Sequence, residues 1–313
     1  MEPWELRQRQ SLPLEAKIVL TQQRIREWYD AWEGNVYVSF SGGKDSTVLL
    51  HLVRELYPDV PAVFCDTGLE FPEIRRHVKT FDNVVWIKPE ETFRKVIENY
   101  GYPVISKDVS LRLRYARQGS QWAIYALDGL EKDGTRRENG FKQRYMKYKY
   151  LMDAPFKVSD QCCEVLKEKP LRDYGRSSKT KPYIGLMATE SKRRKEAYLK
   201  TGCNSFEGKL KSSKPMAFWT EQDVLQYIKQ KDIPYASVYG DIVSTSKGLA
   251  TTGESRTGCI FCAFGVHLDK GENKFQRMSR THPKQYDYCI NKLGLGEVLD
   301  YIGVDYRVNN LFG

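Results

Sequence analysis

Two strings in this chain combine residue types that do chemistry. The first is Ser41-Gly42-Gly43-Lys44-Asp45-Ser46. Glycines let backbone amides converge on an anion, and a helix opening directly behind them adds the positive end of its dipole. Two hydroxyls and the Lys44 ammonium add donors, and the Asp45 carboxylate suits Mg2+. The spacing is neither GxxxxGK[ST] nor GxGxxG. The second string is split: 95 residues lie between Cys162-Cys163 and Cys259-Ile260-Phe261-Cys262. A CxxC turn aims two thiolates at one metal centre, and a second pair completes four ligands. Adjacent cysteines point in different directions and so suit a many-iron cluster better than a single tetrahedral zinc. Structural zinc stays open as the alternative.

The elements that must position these strings follow from periodicity. Leu14, Ile18, Ile25, Trp28 and Trp32 fall at helical steps over 14–33, and Gly34 stands where a C-cap belongs. Val36, Val38 and Phe40 alternate as a strand that feeds the glycine turn, and 47–56 reads as the helix behind it. Strands over 62–65 and 84–87, a helix opening at Phe71-Pro72 and a helix over 90–100 continue the alternation. A strand over 183–187 leads into a helix with Thr189 as its expected cap. Thr220-Glu221-Gln222-Asp223 is a capping box for a helix through Lys231. The Gly-, Ser- and Thr-rich residues 240–258 read as a mobile loop, and a last helical part is expected to begin near His282-Pro283. Alternating strands and helices predict an α/β fold with a parallel sheet. Three regions are expected: an N-terminal helical segment at 1–34, a nucleotide-binding domain at 35–205 with an insert at about 107–157, and a C-terminal region at 206–313 carrying the CxxC pair.

Composition narrows the class. Fifty Lys and Arg against forty Asp and Glu give a net charge of +10, and the excess is local. Residues 107–149 hold eleven basic and five acidic side chains, and residues 169–214 hold thirteen and four. Such windows suit an anionic partner, although a solvated basic face gives the same count. Within the insert Tyr115, Trp122, Tyr125, Phe141, Tyr145, Tyr148 and Tyr150 lie among Arg112, Arg114, Arg117, Arg136, Arg137, Arg144 and Lys147. Aromatics among cations stack bases and contact phosphates, but an insert with its own core has the same composition. Seven cysteines and no apolar run of the roughly 18 residues a membrane helix needs predict a cytoplasmic protein with metal or redox chemistry, without a leader segment.

The glycine string resembles the PP-loop of adenine nucleotide alpha hydrolase-like ATP pyrophosphatases, and the chain resembles the phosphoadenylyl-sulfate (PAPS) and adenylyl-sulfate (APS) reductases among them. Three segments carry the likeness beyond the loop. Phe64-Cys-Asp-Thr-Gly-Leu-Glu-Phe-Pro72 is similar to a "DTG…FPE" segment. Gly185-Leu-Met-Ala-Thr-Glu-Ser-Lys-Arg-Arg194 is similar to "G-x-R-x-x-E-S-x-x-R", and Pro215–Val224 to "P-x-x-x-W-T-x-x-D-V". The likeness runs from about residue 17 to about 265, leaving the insert and the tail aside. It implies a doubly wound, Rossmann-like parallel sheet with a smaller, mostly helical C-terminal part. It also implies that Ser41, Gly42, Gly43, Lys44, Asp45 and Ser46 hold phosphates, with Lys44 and Asp45 serving catalysis. Asp66, Thr67, Gly68, Gly185 and Glu190 would line the nucleotide, with Arg193 and Arg194 at its phosphate or sulfate end; an exposed helical face is the other reading of that arginine pair. The cysteine pattern resembles the [4Fe-4S] ligand set of assimilatory APS reductases, with Lys167 beside the cluster and the substrate's anionic end.

Two departures touch the sulfate-handling side. Reductases of this kind carry a nucleophilic cysteine near the C-terminus, whereas residues 301–313 hold none and Cys289 lacks the flanking residues. Met187 stands where the loop's first arginine belongs. The expected activity is therefore cleavage of ATP, with Mg2+, at the α–β bond, adenylating an acceptor for sulfur transfer. The alternatives are sulfonucleotide reduction with an external thiol, and a nucleic-acid-binding accessory role without turnover. The partners to expect are an adenine nucleotide, a sulfur donor or thiol protein, nucleic acid at the basic insert and a second copy of the chain, with no membrane.

Overall fold

The glycine turn needs a strand before it and a helix after it, and both form. In a computed structural model, residues 2–136, 144–208 and 211–307 are described. In chain order the strands are β1 (Val36–Ser39), β2 (Ala62–Cys65), β3 (Val84–Ile87), β4 (Val104–Ile105), β5 (Lys181–Ile184), β6 (Asn204–Ser205), β7 (Ser212–Ser213), β8 (Ile242–Thr245), β9 (Gly248–Thr251) and β10 (Ala263–Phe264).

Six of them form one sheet in the order β3-β2-β1-β5-β7-β6. All its pairings are parallel except the edge pair β6–β7. Ser39 is in register with Val63 on one side and Ile184 on the other, so Ser41, Asp66 and Gly185 leave the sheet at the same edge. From β1 the chain builds outward through β2 to β3, and after returning at β5 it builds the other way to β7. That is the doubly wound α/β pattern. The reversal falls between β1 and β5, the place where open α/β sheets bind their ligands. β1 and β2 are almost wholly buried and apolar, as strands covered on both sides require.

The chain forms two compact units, neither continuous in sequence: Met1–Pro89 with Lys169–Ile260, and Glu90–Glu168 with Phe261–Gly313. This division differs from the one drawn at residues 34 and 205, for two physical reasons. The helix Leu14–Ala31 is tied into the sheet unit: buried Lys17 reaches both Asp223 oxygens at 2.8 and 2.7 Å, and Trp219 Nε1 donates to Thr21 Oγ1 at 2.8 Å. In the second unit β4 and β10, far apart in sequence, pair in parallel.

Several local expectations change. Ser191, not Thr189, caps the helix Lys192–Thr201, its hydroxyl accepting from the Arg194 N–H at 3.3 Å; residues 188–190 make a separate 3-10 turn. Residues 240–258 contain the β8–β9 hairpin instead of an unstructured loop. The last helical part opens earlier, with Lys274–Thr281 capped by Asn273. In the second unit the helix Lys107–Arg117 is capped by Ser106 and is followed by Gln121–Asp128, which ends at left-handed Gly129. No helix among the described residues is long and apolar enough to cross a membrane.

Candidate functional site

The loop after β1 is shaped by close approach. Gly42 has φ +71°, and a Cβ there would stand 2.6 Å from Val78 Cγ2 and 2.8 Å from Ile74 Cγ2. Gly185, emerging from β5, lies against the Asp45–Ser46 backbone, where a Cβ would meet Ser46 Cα at 3.2 Å. Gly43 opens the helix Lys44–Leu56 with no side chain capping it. The Ser41 and Ser46 hydroxyls are 2.9 Å apart, and Ser46 Oγ also accepts from the Ser41 N–H at 3.2 Å. Six consecutive residues thus fold into a tight turn between β1 and its helix at the switch point.

The groups that close over this turn come from distant positions in the same unit. The Lys44 N–H donates to the Tyr239 hydroxyl at 3.1 Å, which lies 2.6 Å from Thr257 Oγ1. The Lys44 ammonium is buried; it donates to the Ser255 carbonyl at 2.7 Å and pairs with Glu221 at 3.1 Å. Burial pushes the Tyr239 phenol up to about 12, so it stays protonated. Asp45 Oδ1 is buried without a hydrogen-bond partner. Burial drives the Asp45 carboxyl up from its ordinary value, while Lys44, Arg256 and Arg194 pull it down. A buried carboxylate oxygen with no donor fits a bound cation such as Mg2+, whose oxygen ligands are of this kind.

Glu190 accepts from the Met187 N–H at 2.8 Å and pairs with Arg194 and with Arg256, the latter at 3.4 Å. Of the two neighbouring arginines, only Arg194 is brought to the loop's charges; Arg193 is exposed on its helix. At the end of β2, Asp66 pairs with Arg75 at 2.8 Å and accepts from the Gly68 N–H at 3.2 Å. Thr67 Oγ1 donates to Glu70 at 2.8 Å, and Gly68 has φ +75° with open space around it. Sequence reasoning missed Tyr239, Ser255, Arg256 and Glu221. Of these only Arg256 had a cue, its place three residues before the CxxC pair.

The cysteines divide between the units. Cys162, Cys163 and Cys262 belong to the second, and Cys259 to the first. The Cys162 thiol donates to Cys163 Sγ at 4.0 Å. That bond, with help from Lys107 and Lys167 and against burial, pulls the Cys163 thiol down to about 6. Burial raises Cys262, while Lys274 and Lys167 draw it back. Lys167 therefore acts on two of the expected ligands, and Lys107 and Lys274 join it unannounced by any motif. The π-helical turn Glu164–Glu168 directly follows the cysteine pair. Among the described residues, no group of three or more His, Cys, Asp or Glu side chains is gathered as a metal site. The donor set still fits an iron–sulfur centre chemically: soft thiolates for the metal and ammonium groups to offset their charge. Cys289, by contrast, is fully buried, and burial pushes its thiol up to about 12.

The comparisons with known proteins can now be set beside this geometry. The model of the phosphoadenosine phosphosulfate reductase domain matches residues 35–262. The chain belongs to that family. The matched span includes the insert that the motif resemblance left aside. An adenosine 5'-phosphosulfate reductase of Staphylococcus epidermidis is 28% identical over 260 residues, 82% of each chain. Among solved structures, a PAPS reductase from Candida auris in complex with phosphate is 15% identical, with TM-score 0.39, covering 72% of this chain and 91% of its own. A U34-tRNA thiolase from Methanococcus maripaludis with its [4Fe-4S] cluster is 14% identical, with TM-score 0.38, covering 95% and 82%. Likenesses that distant carry no argument here.

Several described cations of the insert are engaged by the protein's own groups. Arg117 donates to the carbonyls of Leu151 and Phe156 at 2.8 Å each, and Arg114 pairs with Asp160 at 2.8 Å. The Arg112 guanidinium lies 3.9 Å from the centre of the Tyr145 ring. Trp122 and Tyr150 stay exposed. Arg137 and Phe141 lie outside the described residues.

Proposed function

We propose that this PAPS reductase-family protein binds ATP with Mg2+ through residues 41–46 and cleaves it at the α–β bond to adenylate an acceptor for sulfur transfer. The observation that carries the reading is the glycine-built cradle at the switch point. Side chains are excluded at Gly42 and Gly185, while amides, hydroxyls and one ammonium converge. In the proposed step an acceptor oxygen attacks the α-phosphorus and the bond to the bridging oxygen breaks. Pyrophosphate leaves, and a sulfur nucleophile then displaces AMP from the adenylated acceptor; Mg2+, when bound, would offset the charge of the leaving group. Asp45 holds the cation, and Lys44 exchanges Ser255 and Glu221 for the charge growing on the leaving pyrophosphate. Asp66, Thr67, Gly68 and Glu190 line the nucleotide, and Arg194 takes its phosphate end.

Cys162, Cys163, Cys259 and Cys262 are the proposed ligands of a [4Fe-4S] cluster, which when bound would hold or deliver sulfur. Lys107, Lys167 and Lys274 offset the negative charge of the thiolates.

Sulfonucleotide reduction with an external thiol is the second reading, favoured by the 28% identity to an APS reductase. Against it stand Met187 in the arginine position and the buried, high-pKa Cys289, which is no nucleophile. A product assay on anaerobically purified protein separates the two. AMP and pyrophosphate from ATP and Mg2+ support the first; sulfite from APS or PAPS with dithiothreitol, and no pyrophosphate from ATP, replaces it with the second.

A further inference from the structure

The strap over the phosphate loop contains a cation that no motif assigns. Backbone bonds hold it in place: the Thr252 N–H donates to the Asp241 carbonyl at 2.9 Å, Gly253 to Tyr239 at 2.8 Å and Glu254 to Val238 at 3.0 Å. Gly253 is packed so tightly that a Cβ would stand 2.4 Å from the Val238 carbonyl oxygen. The next three residues meet the loop. The Ser255 carbonyl accepts from the Lys44 ammonium, and Thr257 Oγ1 reaches the tyrosine hydroxyl that accepts the Lys44 N–H. Arg256 stands between these two anchors, so its backbone is fixed to the loop from both sides.

Its side chain faces a different environment from that of Lys44. The Arg256 side chain is 61% exposed and the Lys44 side chain 4%. Its guanidinium holds Glu190 at 3.4 Å and, with Lys44 and Arg194, acts on the buried Asp45 carboxyl. Three cations are thus matched by three carboxylates, Asp45, Glu190 and Glu221, and Asp45 keeps one buried oxygen without a partner.

We propose that Arg256 is a ligand of the nucleotide's β- and γ-phosphates, held by Glu190 until they arrive. Glu190 is largely buried and keeps Arg194 as a second partner, so the exposed Arg256 can leave it without stranding the carboxylate, and a guanidinium fork matches two phosphate oxygens at once. A cation on Asp45 and a polyphosphate on Lys44 and Arg256 would give those three groups partners of opposite charge, while Glu190 keeps Arg194 and the half-exposed Glu221 is left to solvent. The inference rests on the nucleotide reading of the loop and adds to it the residue that senses the polyphosphate beyond the α-phosphate.

The test is calorimetric binding of ATP with Mg2+, of pyrophosphate and of AMP to the full chain, comparing the unaltered protein with Arg256→Ala and Arg256→Lys. The expected result is a tenfold or greater loss of ATP and pyrophosphate affinity in R256A, AMP affinity within twofold and partial recovery in R256K. Equal losses for AMP and ATP would mean a structural role and overturn the proposal, as would ATP binding unchanged in R256A. An unaltered protein that binds neither ATP nor pyrophosphate would instead sink the nucleotide reading itself, and Arg256 with it.

Discussion

The glycine loop at 41–46 and the cysteine set gather their parts in opposite ways. The loop is six consecutive residues, and each partner described around it, from Asp66 to Arg256, lies in the same compact unit. Close approach at Gly42 and Gly185 shapes its backbone, and the Ser41, Ser46 and Tyr239 hydroxyls hold it. The cysteines come from two places in the chain and belong to both units, with the Cys162 thiol donating to the adjacent Cys163. An anion site can be built before its ligand arrives. A thiolate site is commonly completed by the metal, whose binding energy draws the ligands together.

Three experiments would break or sharpen this contrast. The largest effect is expected from Cys163→Ser: iron and acid-labile sulfide in anaerobically purified protein fall to background, while pyrophosphate binding stays within twofold. Iron retained in that variant, or zinc alone in the unaltered chain, removes the proposed ligand set; simultaneous loss of pyrophosphate binding would show that the two regions are one site.

Lys17→Met comes next. It leaves the Asp223 carboxylate buried and uncompensated, and urea unfolding should show a loss of about 3–5 kcal/mol. A loss under about 1 kcal/mol would mean that the N-terminal helix is not held to the sheet unit by this pair.

The smallest effect is a pH slope. Burial pulls His77, packed 3.3 Å from Thr47 behind the loop, down to about 4 from 6.5. The unfolded chain therefore takes up that proton first. The stabilisation is complete above about pH 6.5 and is lost as pH falls toward 4, by at most about 3 kcal/mol. His77→Gln should flatten stability measured across that window. An unchanged slope would place the proton uptake elsewhere.

Much of the sheet was readable because its signals are local. β2 and β3 fall where apolar runs put them, and Pro72 and Thr220 open their helices as expected. The helix Leu14–Ala31 shows where the reading stops. Its buried stripe is Leu14, Lys17, Thr21, Ile25 and Trp28, and hydrophobic periodicity cannot see that a lysine and a threonine turn inward to meet Asp223 and Trp219. Residues 240–258 look loop-like in composition, yet they contain a hairpin, and behind it the Ser255 carbonyl accepts from the Lys44 ammonium and Thr257 Oγ1 reaches the Tyr239 hydroxyl.

The amino-acid sequence by itself determined the glycine turn at 41–46, the parallel strands that carry it and the candidate ligands among the cysteines. Each of these is set by residue type at short spacing, where glycine freedom and side-chain alternation act directly on the local backbone. Only the tertiary structure decided that Arg194 and not Arg193 turns to the loop, that Tyr239, Ser255 and Arg256 close over it, and that Lys107 and Lys274 join Lys167 in acting on the thiols. Those choices depend on burial and charge between residues up to about two hundred positions apart, and nothing in the order of a chain encodes such distances directly.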